Sequence, residues 1–371
     1  MRYSRRHRAT CLGLPIMYYL PRSVSPFDHN KGIQIMLLTT DGFDHYAGKN
    51  ALAAALTGYL QSAGYVINNA TNTTFNIVDG QDAGSFGLKM SIVAAATTPP
   101  SIARTVESDA NLVVFGFSFR GTGSRLRFAR IAGVIDLDWD TTTGKMKVGS
   151  TLGQDVIILN TFWYIEIEID KIANEVRVWA NDTLQLTVPL PGGIASTYTI
   201  TWGMSSPSST AGTIEIDDFY ALDDDGGQNI SRLGPIQIVT RAPTADVITQ
   251  WTPVNSTGSH ASILAQLEPG ATNAPYLQAN VEGRVDKFTS NVVLPNSNKV
   301  FAVALVSYAR KGDLDDRRLG MTVGTAGGET EIEVPLDTAY GYKSRIFEQA
   351  PGGQEWNQNL VESSTFGIIA R

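Results

Sequence analysis

Residues 161–188, TFWYIEIEIDKIANEVRVWANDTLQLTV, restrict the fold more than any other stretch of the chain. Ile165, Ile167 and Ile169 alternate with Glu166, Glu168 and Asp170, and after the Ala173-Asn174 turn Val176 and Val178 alternate with Arg177 and Trp179. A period of two sends successive side chains to opposite faces, so each run is a strand with one buried face. Asn181-Asp182 then turns the chain tightly into Leu184, Leu186 and Val188, which predicts a three-stranded antiparallel meander.

The same texture extends in both directions. Runs at 36–40, 72–79, 86–93, 113–119, 125–130, 134–140, 145–148, 197–204 and 213–222 read as strands, about ten in this half by the spacing that antiparallel sandwiches use. The Ala-rich stretch 50–60 is a short helix or a loop with one helical turn. Asp223-Asp224-Asp225-Gly226-Gly227 has no apolar residue and reads as a linker. Beyond it, strands are expected at 236–240, 285–294, 300–310, 318–323, 329–334, 340–347 and 365–369. Residues 300–308 are apolar on both faces, which predicts a central strand. A chain of 371 residues is long for one domain, and two cores are the natural division. The expected partition is therefore a basic arm or over-extended start at 1–35, a first domain at 36–222, a linker at 223–232 and a second β-sandwich at 233–371.

The net charge of −7 is unevenly spread. Residues 1–35 carry Arg2, Arg5, Arg6, Arg8, Arg22 and Lys31 against Asp28, a net +5, which leaves −12 on the rest. An acidic body argues against a nucleic-acid groove, which needs clustered Lys and Arg. Residues 5–8 followed by 11–20 have the outline of a secretory signal, but Pro15 interrupts the apolar run and no small-residue cleavage site follows. Cys11 is the single cysteine, which rules out an intrachain disulfide and a cysteine metal cage. No run approaches 18 consecutive apolar residues, so no spanning helix is expected.

The order VVFGFSF, IDLDWDTTTGKMKVG, the 161–188 meander and TIEIDDFYAL resembles the laminin-G-like, concanavalin A-like jelly rolls of tailed-bacteriophage virion structural proteins. Asp41-Gly42-Phe43-Asp44-His45-Tyr46 and Ile216-Asp217-Asp218-Phe219-Tyr220 resemble the opening and close of that module, and LGPIQIVTRAPTAD through FGIIAR is similar to the β-rich segment that often trails it. The resemblance spans 36–371 and implies an all-β chain: a jelly-roll sandwich followed by a second β-sandwich. It implies a virion location, other virion proteins as partners and a homo-oligomer obeying the symmetry of the particle. Its motifs are core and turn residues, which inform fold better than activity.

Three acidic alternations invite a hydrolase reading: Asp136/Asp138/Asp140, Glu166/Glu168/Asp170 and Glu215/Asp217. Residues i and i+2 on a strand lie roughly 6–7 Å apart, near the carboxylate spacing of sugar hydrolysis. By resemblance, retaining hydrolases of this superfamily carry Glu-x-Asp-x-Glu, whereas residues 166–170 read Glu-Ile-Glu-Ile-Asp. The polar face of a half-solvated sheet is the stronger reading. Asp79/Asp82 and Asp223-Asp224-Asp225 are hard donors without the spacing of a calcium loop, and His7, His29, His45 and His260 are too scattered for zinc or a triad. Gly121-Thr122-Gly123-Ser124 joins two strands and lacks the Gly-Lys-Ser/Thr of a phosphate loop. Among aromatics, Trp139, Trp179, Trp251 and Trp356 are candidate sugar platforms, with Trp139 expected on a buried face and Trp163 and Trp202 in the core. Trp179, sharing a face with Arg177, is the best placed to contact a glycan or partner. The expectation is a non-enzymatic virion component (accessory tail, fibre, collar or capsid decoration) with no cofactor or metal. The alternatives are an adhesin for a host-surface glycan and, third, a glycan-degrading enzyme.

Overall fold

A computed structural model of the chain describes residues 9–11, 16–21, 36–46, 53–68, 73–82, 84–93, 100–192, 196–204, 211–225, 229, 231–266, 273–290, 294 and 299–371. The chain is all-β, with three short helices among the described residues, Ala53–Ser62, His260–Leu264 and Gln358–Ser363. It divides into two compact units: one of residues 21–44 and 49–237, the other of 1–20, 45–48 and 238–371.

The first unit is a sandwich of two antiparallel sheets. In one, the order is Thr183–Pro189, Glu175–Ala180, Trp163–Asp170, Leu112–Thr122, Gly212–Asp223, Phe86–Ile92 and Thr73–Asp79, with Met36–Asp41 also on Gly212–Asp223. In the other it is Thr151–Val156, Lys145–Val148, Ile135–Trp139, Leu126–Ile131, Thr197–Met204, Ser101–Glu107 and Tyr65–Asn68. The 161–188 stretch forms the predicted meander. Ile165, Ile167 and Ile169 stand in register with Phe117, Phe115 and Val113 on one side and with Ala180, Val178 and Val176 on the other. Residues in register share a face, so these form one apolar layer. Asn181 and Asp182 both have positive φ, 46° and 65°, the combination a two-residue hairpin of the favoured twist requires.

The layer closes on aromatic contacts between the sheets. Trp202, fully buried, meets Phe117 edge-on at 5.6 Å and Phe219 at 5.0 Å, and Phe128 meets Phe119 at 5.1 Å. Three strands escape the sequence pattern. Ser101–Glu107 and Tyr65–Asn68 are mixed in polarity, and Thr151–Val156 is an edge strand exposed at nearly every position. Such strands carry no clean alternation.

The linker reading of 223–232 is corrected. Asp223 ends a strand and accepts from Ser108 Oγ at 2.6 Å, while Asp224 accepts from Leu112 N at 3.0 Å. The acidic run thus ties off backbone and hydroxyl donors inside the first unit, and the division between units falls between Gln237 and Ile238.

The second unit is built of two larger sheets and, among the described residues, a two-stranded one of Gln349–Ala350 and Gln354–Glu355. One orders Ile236–Arg241, Ile16–Pro21, Val303–Lys311, Ala9–Cys11, Tyr276–Ala279 and Thr252–Val254, with Gly341–Phe347 also on Val303–Lys311. The other orders Ala245–Thr249, Val285–Thr289, Thr365–Ala370, Arg318–Thr325 and Gly328–Pro335. Val303–Lys311 is central, as its apolar faces predict. The stretch read as an N-terminal arm supplies two strands of this sheet; residues 1–8, 12–15 and 22–35 lie outside the described residues. Leu277, Phe288, Leu305, Met321, Trp356 and Phe366 are among the side chains of the core. Beside them Asp286, fully buried, accepts from Gln250 N at 2.6 Å and Trp251 N at 2.9 Å and meets His260 Nδ1 at 2.5 Å. Burial outweighs these partners and raises its pKa.

Candidate functional site

The outer face of the eight-stranded sheet gathers Glu166, Glu168, Arg177 and Trp179. Glu166 is in register with Trp179 and with Gly116, and Glu168 with Arg177. These side chains therefore share the face opposite the apolar layer. The expectation of a water-facing acidic row is corrected, because Glu166 is 1% exposed and Glu168 6%.

Three groups cover Glu166. Tyr220 donates its hydroxyl to Glu166 Oε1 at 2.5 Å, and its ring passes over Gly116, where a Cβ would stand 2.1 Å from Tyr220 Cε1. Gly116 is thus a close-approach glycine, since any side chain there would expel the tyrosine. Residues 232–234 then lie across the face as a strap: Gly234 N donates to Glu166 Oε1 at 3.0 Å, Leu233 N donates to Tyr220 Oη at 3.1 Å, and Arg232 Nη1 pairs with Glu166 Oε2. The Arg232 guanidinium also sits 3.8 Å over the Trp179 ring and 3.4 Å from Asp182 Oδ1. Burial raises the Glu166 pKa against the opposing Arg232 charge and hydrogen bonds, and burial together with the nearby Glu166 carboxylate pushes Tyr220 well above its ordinary value.

Next along the face, Arg177 serves three carboxylates: Glu168 at 3.0 Å, Asp170 at 2.7 Å and Glu175 at 2.8 Å. The Glu168 contact is close but off hydrogen-bond alignment, and Glu168 Oε1 has no hydrogen-bond partner among the described residues. Burial raises the Glu168 pKa, with Arg177 opposing it. Trp179 and Arg177 do share a face, but Trp179 is half-buried under Arg232 and Arg177 is held by its acidic neighbours.

The other acidic candidates are dispersed and likewise engaged. Glu215 pairs with Arg120 and, at 3.2 Å, with Lys89. Asp217 accepts from Gln81 N at 3.1 Å and Asp218 N at 2.8 Å. Asp136 and Asp138 pair with Arg127, and Asp140 accepts from Thr143 N, which with Lys147 holds its carboxyl below the usual range. Asp82 lies in a turn with Ser85. Among the described residues no group of three or more His, Cys, Asp or Glu could hold a metal ion. His45 packs at a tilt against Tyr46 and edge-on against Tyr342, while His260 meets the Asp286 carboxylate through Nδ1, in separate places; His7 and His29 lie outside the described residues.

Trp251 and Trp356 are corrected from surface platforms to core residues, each 3% exposed, with their indole N–H groups donating to Arg284 O and Phe347 O. Trp139 is half-buried, and Trp163, expected in the core, is half-buried at a strand end with its N–H on Ile158 O. Sequence reasoning missed Arg232, Gly234 and Tyr220. Arg232 is the last residue of the stretch expected to be a linker, and only its isolation as a cation among Asp and Gly could have marked it.

No family model matches the chain, and no curated protein matches it. Solved structures similar to it include a sialidase at 9% identity and TM-score 0.39, covering 52% of this chain and 19% of that one. The enzymatically active domain of bacteriophage CBA120 tailspike protein 4 matches at 15% identity and TM-score 0.25, covering 43% and 19%. A GH131 β-glucanase catalytic domain from Podospora anserina matches at 14% and 0.32, covering 50% and 95%. The chain thus spans about a fifth of the sialidase and of the tailspike. At these TM-scores the likenesses carry no argument about activity.

Proposed function

We propose that this chain is a non-enzymatic structural component of a tailed-phage virion, an accessory tail, fibre, collar or capsid-decorating protein that acts through assembly and adhesion. One observation carries the non-catalytic part. Each carboxylate that the alternation offers as acid, base or nucleophile is held by a cation or a donor of its own unit, and Glu166, 1% exposed, lies beneath a strap. A glycosidase needs a proton donor and a second carboxylate facing a substrate cleft. The order of core and turn residues supports the virion setting, and a homo-oligomer would follow from the symmetry of the particle.

Mass spectrometry and immunogold labelling of purified particles test this reading, with the protein expected in stoichiometric amounts; its absence from particles overturns it. So does polysaccharide depolymerisation that Glu166→Gln or Glu168→Gln abolishes. A glycan contact through Trp179 and Arg177 is the second reading. A Trp179→Ala variant that loses glycan-array or host-cell binding would favour it over pure scaffolding.

A further inference from the structure

The larger sheet of the second unit takes its middle from residues far away in the sequence. Ala9–Cys11 and Ile16–Pro21 both run antiparallel along Val303–Lys311: Ala9 is in register with Lys311 and Cys11 with Ala309, then Ile16 with Leu305 and Tyr18 with Val303. On its other side Ala9–Cys11 pairs with Tyr276–Ala279, Cys11 opposite Leu277, and Ile16–Pro21 stands beside Ile236–Arg241. Without these two strands the pair Tyr276–Ala279 and Thr252–Val254 is parted in the sheet order from Val303–Lys311 and Gly341–Phe347.

Every sheet partner of the two strands lies at residue 236 or beyond. No local pairing therefore commits them to their own copy; only the covalent connection does. That connection to the first unit is residues 22–35, and fourteen residues of extended chain span at most ~50 Å. The ladder is the same whichever copy supplies the strand, so an exchange needs no new interface. Charge favours the encounter, since residues 1–35 carry a net +5 and the remainder −12, which draws the basic stretch of one copy to the acidic body of another. Residues 9–21 themselves carry no charge and are flanked by Arg8 and Arg22. An uncharged stretch fits a central place and has nothing on it to repel a foreign sheet.

We propose that residues 9–21 are a donor strand exchanged between copies of this chain, the strand of one copy completing the second unit of the next. Each copy gives one strand and receives one, as in domain swapping. The linked form grows with protein concentration by mass action. This inference goes beyond the virion reading and stands without it, because it needs only a second copy.

Cys11 is the single cysteine, so disulfide trapping in the full chain reads the exchange. Paired Cα atoms of antiparallel strands lie ~4.5–5.5 Å apart, within the ~4.4–6.8 Å that a disulfide spans. Wild type as donor and Cys11→Ser/Ala309→Cys as recipient, carrying tags of different mass, are mixed in equal amounts, refolded together from urea and oxidised with copper–phenanthroline. Peptide mapping is expected to join Cys11 of the donor to position 309 of the recipient. The joined share should rise with protein concentration toward about half of the recipients, the random fraction for equal amounts. Ala309→Cys on the wild-type background, oxidised when dilute, is the same-chain control. Leu277→Cys, on the opposite neighbour, repeats both arms should the 309 variants fail to fold, which circular dichroism checks. A same-chain bond with no mixed bond at any concentration overturns the proposal. So does the absence of any bond at both 309 and 277, since the strand then lies beside neither neighbour.

Discussion

Removing the Glu166 side chain gives the sharpest check on the account of the strapped face. Glu166→Ala takes away the acceptor of Tyr220 Oη, Gly234 N and Arg232 at once, in a place where the carboxylate is 1% exposed. Breaking a buried ion pair by deleting one partner costs ~3–5 kcal/mol, because the other charge stays behind. The Arg232 side chain is 17% exposed and keeps Asp182 at 3.4 Å, which places the expected loss near the lower limit, about 3 kcal/mol. Glu166→Gln preserves the shape and an acceptor oxygen and gives up only the charge, so about 1–2 kcal/mol is expected for weakening charge-assisted bonds to neutral ones. Two-unit chains need not unfold in one step. The measurement is therefore hydrogen exchange across residues 229–237 alongside the urea transition of the first unit followed by tryptophan fluorescence. Faster exchange in the strap with the order Ala, Gln, wild type is the predicted result. An Ala variant within about 0.5 kcal/mol of wild type, the range of inert surface changes, with strap amides still protected, refutes the reasoning.

The raised Glu166 pKa adds a pH signature. A carboxyl whose pKa rises on folding contributes stability below its ordinary value of 4.5 that is lost as pH climbs through the folded value. The stability of wild type minus that of Glu166→Gln should accordingly fall as pH rises above about 4.5, and a flat or rising difference in urea titrations opposes this. Gly116→Ala should destabilise by ~1–3 kcal/mol by overpacking, more than Gly→Ala changes at open turns, because its Cβ would overlap Tyr220. Trp202→Ala should lower stability by ~3–5 kcal/mol, readable as a lower urea midpoint of the first unit. Asp286→Ala leaves the Gln250 and Trp251 amides and the His260 ring without their acceptor; a loss of several kcal/mol is expected at ~1–3 per orphaned group, and a thermal melt unchanged from wild type contradicts it.

The sequence revealed what period-two alternation encodes. Ile165, Ile167 and Ile169 faced inward as read, and Asn181-Asp182 turned as read, because both signals are local. The other face was misjudged for a reason the same pattern cannot contain. Whether Glu166 and Glu168 meet water depends on Tyr220 and Arg232, which lie 54 and 66 residues from Glu166 and occupy that face through tertiary contacts. Trp251 and Trp356 were misplaced similarly, since Gly, Pro and Asn around them read as exposed loop while their rings fill a core.

The short strand Ala9–Cys11 has a consequence for how the molecule is made and cut. Tyr276–Ala279 and Val303–Lys311 are bridged by Ala9–Cys11 in the sheet order. On a ribosome the bridging piece emerges before its neighbours, which are synthesised more than 260 residues later, so this sheet cannot close until Val303–Lys311 has been made. A clone trimmed to begin at residue 238 would leave the two neighbours with a vacant slot between them. Supplying residues 1–21 as a separate peptide should then restore it by complementation, as an added strand restores an interrupted sheet.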